Sequence, residues 1–170
     1  MKNRKISLIL ALLLLVFTFP SCRDTLPRDY REYAFFAEIR YEYGGDTFCA
    51  EVNVVVPSNA EQTRDIELRF TAPPTLAGLC VSQKSGIQRV TLGSADIKSE
   101  AAAKGFLRAA NLLIPDGSME FIERFEENGV FFYKAEISSA DRSISLSLDS
   151  NGNPKSVSCD DITVTVIRFE

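Results

Sequence analysis

Over most of the chain, apolar side chains recur at every second position, the spacing of a strand that turns one face inward. Phe35, Ala37, Ile39, Tyr41 and Tyr43 alternate with Phe36, Glu38, Arg40 and Glu42, and beyond Gly44-Gly45 the pattern resumes as Phe48, Ala50, Val52, Val54 and Val56 against Cys49, Glu51 and Asn53. These two runs predict a long hairpin. Pro57-Ser58-Asn59 ends it, and Ile66, Leu68 and Phe70 mark a third strand that Pro73-Pro74 stops. Two shorter strands are expected over residues 79–82 and 86–92, around the Ser85-Gly86 turn.

The period changes once. Within residues 94–114, Ala101-Ala102-Ala103 leads into Phe106, Ala110 and Leu113, with Leu107 and Ile114 alongside, which is a helical stripe. Ser99 is the expected N-cap and Pro115 the stop, and Gly105 weakens the helix by about 1 kcal/mol relative to Ala. Strands then resume over 119–125 and 130–137 about Asn128-Gly129, a dipeptide that favours a tight hairpin. Ile144, Leu146 and Leu148 alternate with Ser143, Ser145 and Ser147, residues 149–154 are dense in turn formers, and Val157 and 162–169 supply the last two strands. The expectation is a mainly β (α+β) fold of about ten strands and one main helix. Its pairings are antiparallel, because the links between strands are nearly all too short for a crossover.

Ahead of this lies a different kind of segment. Lys2, Arg4 and Lys5 precede an apolar run over residues 6–19, broken only by Ser7 and Thr18, and Phe19-Pro20-Ser21-Cys22 follows. A membrane-spanning helix needs roughly 20 apolar residues, so the run has the length of an export signal. The sequence around Cys22 resembles the lipobox of bacterial lipoproteins, with Phe19 where that group usually has Leu and Ser21 as the small residue before the cysteine. The resemblance implies removal of residues 1–21, lipid on Cys22, a tether over 22–33 and a domain over 34–170 on the extracytoplasmic face of a membrane. An ordinary secretory signal cleaved near Ser21 is the alternative, and it too delivers the domain outside the cytoplasm.

Removing residues 1–21 leaves 149 residues and takes away three basic groups and no acidic one, so the formal charge moves from −4 to −7. An acidic domain repels phosphate backbones, and no nucleic-acid partner is expected. The length suits one domain that buries about 70% of its unfolded surface. With Cys22 acylated, Cys49, Cys80 and Cys159 remain. A bridge between Cys49 and Cys80, both on polar strand faces, and three unpaired thiols are both open.

Candidate chemistry is sparse. The chain has no histidine, which removes His-dependent acid–base and nucleophilic arrangements, and its cysteines are too widely spaced for a metal site. Glu126-Glu127 and Asp160-Asp161 are adjacent carboxylates near turns, and strand neighbours point to opposite faces, so they read as solvated charges. Asp149, Asn151, Asn153 and Asp160 hint at a calcium loop, yet Pro154 holds the position where such a loop needs Gly. No enzyme, cofactor or metal is expected.

The order of elements resembles the LolA/LolB-like and RseB-like group of lipoprotein-sorting and lipid-sensing proteins. What carries the resemblance is the long opening hairpin, the strand from Ile66 to the prolines followed by short strands and a helix, and Leu146-Ser147-Leu148-Asp149-Ser150-Asn151-Gly152-Asn153-Pro154 before the next strand. It implies a strongly curved antiparallel half-barrel covered by helix, enclosing an apolar cavity. On that reading Phe35, Ile39, Tyr41, Val52, Val54, Leu68, Phe70, Phe106 and Leu113 face the concave side and could line a pocket for an acyl chain, although a filled core needs the same alternation. The function implied is a carrier or sensor of a lipid or of a lipoprotein's acyl chain. The alternative is a membrane-tethered scaffold with a filled core that binds an exported protein partner.

Overall fold

A computed structural model describes residues 26–57, 63–97, 100–139 and 142–170. Among these, strands β1 (Phe35–Tyr43), β2 (Asp46–Val55), β3 (Asp65–Ala72), β4 (Leu79–Lys84), β5 (Ile87–Leu92) and β6 (Ala95–Ile97) precede helix α1 (Glu100–Leu113). Strands β7 (Met119–Glu127), β8 (Val130–Ser139), β9 (Arg142–Asp149), β10 (Pro154–Cys159) and β11 (Ile162–Phe169) follow it. All eleven pair into one sheet in the order β6-β5-β4-β3-β2-β1-β11-β10-β9-β8-β7, and each neighbouring pair is antiparallel.

This order explains why the chain has a helix where it does. Two meanders meet at β1 and β11, which leaves β6 and β7, consecutive in sequence, on opposite edges of the sheet. The connection must cross a whole face, and α1 makes that crossing, packed on β3, β4 and β5 of one half and on β10 and β11 of the other. The sheet stays open because β6 and β7 never pair. Register shifts in β1, β2, β7 and β10 bend it around the helix.

The alternation sets which face is buried. Ala37, Val52, Val54, Leu68, Val81, Leu148, Val157 and Val164 point inward with 0% exposure, and α1 answers with Ala103, Leu107, Ala110 and Leu113, also at 0%. Two alanines on that stripe let the helix backbone approach the sheet closely. The one strand beyond the ten expected, β6, is three exposed residues long, too short for an alternation to register in sequence. Ser99 and Cys22, together with residues 1–21, lie outside the described residues.

The segment read as a tether is packed into the fold at its end. A 3-10 turn, Tyr30–Glu32, is capped by the Asp29 carboxylate, and Tyr30 and Arg31 are both buried. The Tyr30 ring stands edge-on to Phe35 and Phe169, while its hydroxyl donates to the Leu113 carbonyl at 2.6 Å. In the sequence Tyr30 and Tyr33 suggest a helical turn leading into the fold, and the turn is found there, but one aromatic and one paired cation give no periodicity that announces the burial of Arg31.

Turn chemistry follows the sequence at Asn128-Gly129, where both residues have positive φ (53° and 80°). Gly152, at φ +91°, is more constrained: an added Cβ would run into the Arg28 carbonyl and the Pro27 side chain. Gly152→Ala is therefore expected to cost about 1–3 kcal/mol, and Gly86→Ala, which meets open space, only the smaller backbone strain. Thermal unfolding of the two variants checks this, and equal losses would refute the close approach.

The three described cysteines are unpaired. Strand β3 separates the strands of Cys49 and Cys80. Two strand spacings, roughly 9–10 Å, exceed the reach of a disulfide at about 7 Å.

Candidate functional site

Between α1 and the ends of the strands beneath it, the concave face opens into a cleft of about 730 Å³. That lies within the range of roughly 300–1,000 Å³ typical of small-molecule sites. One wall is Val56, Pro57, Thr63, Arg64, Ile66 and Gln83, at the ends of β2, β3 and β4. The roof is the flank of α1 carrying Lys104, Arg108, Asn111 and Leu112, continued by Ile114, Pro115 and Asp116. Arg142 and Ile144, at the start of β9, close the far side.

The positions follow from strand parity. Val56 continues the inward series of Val52 and Val54, Arg64 that of Ile66 and Leu68, Gln83 that of Leu79 and Val81, and Arg142 that of Ile144 and Leu146. Three of these four inward positions are polar. On those three strands the apolar alternation stops one inward position before the inward face does, and the cleft is where the two lengths differ.

Its electrostatics are one-sided. Arg64, Lys104, Arg108 and Arg142 line it against the single carboxylate of Asp116. At the rim, Arg108 Nη2 donates to Asp161 Oδ1 at 3.0 Å, and its guanidinium lies over the Tyr43 ring at 5.2 Å. Three donors meet the carbonyls at the C-terminal end of α1: Tyr30 Oη on Leu113, Arg64 Nη1 on Ile114 at 3.5 Å, and Arg31 Nη1 on Pro115 at 2.6 Å. Arg31 also reaches the Gly117 carbonyl at 3.2 Å and pairs with Asp29 at 2.6 Å. Burial pushes the Asp29 carboxyl up, and the hydrogen bonds and charge of Arg31 more than reverse this, leaving it below its ordinary 3.8.

The nine concave-face candidates are placed elsewhere. Phe35, Ile39, Tyr41, Val52, Val54, Leu68, Phe70 and Leu113 are buried in the hydrophobic core, and Phe106 is partly buried against it. None of them lines the cleft. Tyr41 stacks on Phe48 at 5.0 Å, Phe70 meets both edge-on, and Phe106 on α1 closes over Phe70 at 5.5 Å. Burial pushes the Tyr41 hydroxyl up to about 12. The apolar floor of the cleft comes from their neighbours Ile66, Leu112, Ile114 and Ile144, whereas its basic lining had no counterpart among the sequence candidates.

The remaining motifs are structural. Asp149 Oδ1 accepts from the backbone N–H groups of Asn151 and Asn153, and Oδ2 from the Asn153 amide, which makes an ordinary Asx turn. Glu126, Glu127, Asp160 and Asp161 are exposed.

No protein-family model matches the sequence, and no curated protein matches it significantly. Solved structures match it in fold. An uncharacterized conserved protein from Thermus thermophilus superposes with a TM-score of 0.54 at 13% identity, over 82% of this chain and 78% of that one. A chain of the Pseudomonas aeruginosa MucA/MucB complex gives 0.49 at 15% identity over 82% of this chain and 52% of that one, so this chain spans about half its length. A LolA superfamily protein from Nitrosomonas europaea gives 0.43 at 13% identity, over 84% and 87%. At such identities the likeness is one of fold. The architecture that the sequence resemblance implies, one curved antiparallel sheet with a covering helix, is the architecture found.

Proposed function

We propose that the protein is a membrane-tethered, extracytoplasmic binding protein that holds the acyl portion of a lipid or lipoprotein in the cleft beside α1, as a carrier or sensor and without catalysis. The observation that supports this best is the cleft itself, an inward-facing volume of about 730 Å³ left open where the core ends. Ile66, Leu112, Ile114 and Ile144 give an acyl chain an apolar floor, and each methylene withdrawn from water contributes about 0.8 kcal/mol. The polar lining is made of guanidinium, ammonium, amide and hydroxyl groups with one carboxylate, a set suited to holding a ligand rather than to nucleophile–base chemistry. Lipid on Cys22 keeps the cleft near a bilayer, since the residues from Cys22 to the packed Asp29 span at most roughly 25 Å.

A second reading, a tethered domain that binds an exported protein and takes no lipid, is favoured by Ile122, Val130 and Phe131, exposed on the β7–β8 hairpin at one sheet edge. Native mass spectrometry of the full chain extracted from membranes separates the two readings. Its protein mass reads removal of residues 1–21 and acylation of Cys22. A bound acyl lipid is expected on the wild type and expected to be lost in Asn111→Trp, which puts bulk into the cleft from an exposed helix position and is expected to leave the melting temperature unchanged. An apo mass with no uptake of added lipid would overturn the cleft reading in favour of the protein partner.

A further inference from the structure

We infer that the cleft selects an anionic amphiphile, an acyl chain ending in a carboxylate or phosphate, over neutral and cationic ones. The inference rests on the proposed binding function and names the chemistry of its ligand. Its basis is a reversal of charge. The chain carries a formal −4, yet four basic residues and one acidic residue line this cleft.

Structural contacts employ part of that gathering, since Arg64 Nη1 donates to the Ile114 carbonyl and Arg108 Nη2 to Asp161 Oδ1, but neither contact requires the basic side chains to converge on one cleft. Lys104 and Arg108 stand one turn apart on α1, a like-charge spacing that destabilises a helix. Arg142 occupies an inward position of β9, whose other inward residues, Ile144, Leu146 and Leu148, are apolar and buried. The C-terminal end of a helix carries partial negative charge that would repel an anion. Here the carbonyls of Leu113, Ile114 and Pro115 are each met by a donor, from Tyr30, Arg64 and Arg31. Arg108 has Asp161 on its outer side and the cleft on its inner side, so its remaining N–H groups can turn to a ligand. Guanidinium groups bind carboxylate and phosphate through two parallel hydrogen bonds, and a concave site focuses their field. The geometry places a headgroup among Lys104, Arg108 and Arg142 and the chain along Leu112, Ile66 and Ile144.

The test offers the full chain, in a non-ionic detergent that is stripped off in native mass spectrometry, an equimolar mixture of amphiphiles sharing one decyl chain: decanoate, decyl phosphate, decyl maltoside and decyltrimethylammonium. Decanoate and decyl phosphate are expected to occupy the protein at least tenfold more than the other two, and their ratio distinguishes a fatty-acid headgroup from a phosphate. Arg108→Gln/Arg142→Gln is expected to keep decyl maltoside uptake and reduce the anionic preference at least fivefold. The control Arg40→Gln/Arg69→Gln changes net charge equally on the exposed outer face and is expected to leave the preference intact. Uptake independent of headgroup, or a preference lost equally in both double variants, would overturn the anionic site and leave the acyl-binding function standing. No uptake of any amphiphile would overturn both.

Discussion

Replacing Arg31 with alanine is expected to cost on the order of 3 kcal/mol of folding stability, a large share of the 5–15 kcal/mol typical of a domain. Arg31 is 7% exposed, and its guanidinium serves three groups at once: the Asp29 carboxylate, the Pro115 carbonyl and the Gly117 carbonyl. Truncation leaves the Pro115 carbonyl unsatisfied and the carboxylate without its cation, and it releases the segment that joins α1 to β7. Because Asp29 keeps some contact with solvent, the loss falls at or below the lower end of the 3–5 kcal/mol typical when a buried pair is broken. Arg31→Lys keeps the charge and loses the planar fork, so it should recover less than half of the loss. Urea unfolding of the three proteins measures these differences, and a loss below about 0.5 kcal/mol for Arg31→Ala would show that the latch bears no weight.

The same pair fixes a pH dependence. The folded pKa of Asp29 lies below its ordinary 3.8 because the hydrogen bonds and charge of Arg31 outweigh the burial that alone would raise it. A depressed carboxyl stabilises fully above the unfolded value and loses that contribution as pH falls through the folded one. Wild-type stability should therefore decline below about pH 4, and Asp29→Asn should be less stable at neutral pH with a shallower acid slope. Identical acid slopes would remove Asp29 from the account.

Much of this fold is legible in the sequence because its strands are half-buried, and half-burial writes a period of two. The Phe35 to Val56 hairpin, the strand stopped by Pro73-Pro74 and the Asn128-Gly129 turn each combine an alternation with a residue that ends it. The single change of period marks the one connection that must cross from edge to edge. What periodicity misses are features defined by one residue. Arg31 is buried because Asp29 sits two residues away and two carbonyls arrive from more than 80 residues on, which no local pattern announces. The cleft escapes for a related reason. Arg64, Gln83 and Arg142 hold inward positions, but a reading that collects apolar side chains ends each strand face just before them. Extending the parity by one more inward position, whatever the residue, brings three of the lining residues, Arg64, Gln83 and Arg142, onto the cleft face.

That distinction between core and cleft has a sharp experimental form at Phe70. Its ring is 1% exposed and packs edge-on against Tyr41, Phe48 and Phe106, joining β1, β2 and β3 to the helix. Phe70→Ala removes those contacts and leaves a cavity that the crossing helix and the stiff sheet cannot close, for an expected loss of about 3–5 kcal/mol. Phe70→Leu retains most of the volume and should lose under half as much. Binding should respond differently. The ring is not part of the cleft lining, so decanoate should stabilise the wild type and Phe70→Ala by the same increment at the same concentration, since that increment depends only on the affinity of the folded protein. If Phe70 and its eight companions instead formed the acyl pocket, emptying it would cost little stability and would change affinity. A loss under about 1 kcal/mol, together with a tenfold change in the decanoate dissociation constant, would move the ligand from the cleft beside α1 to the space beneath it.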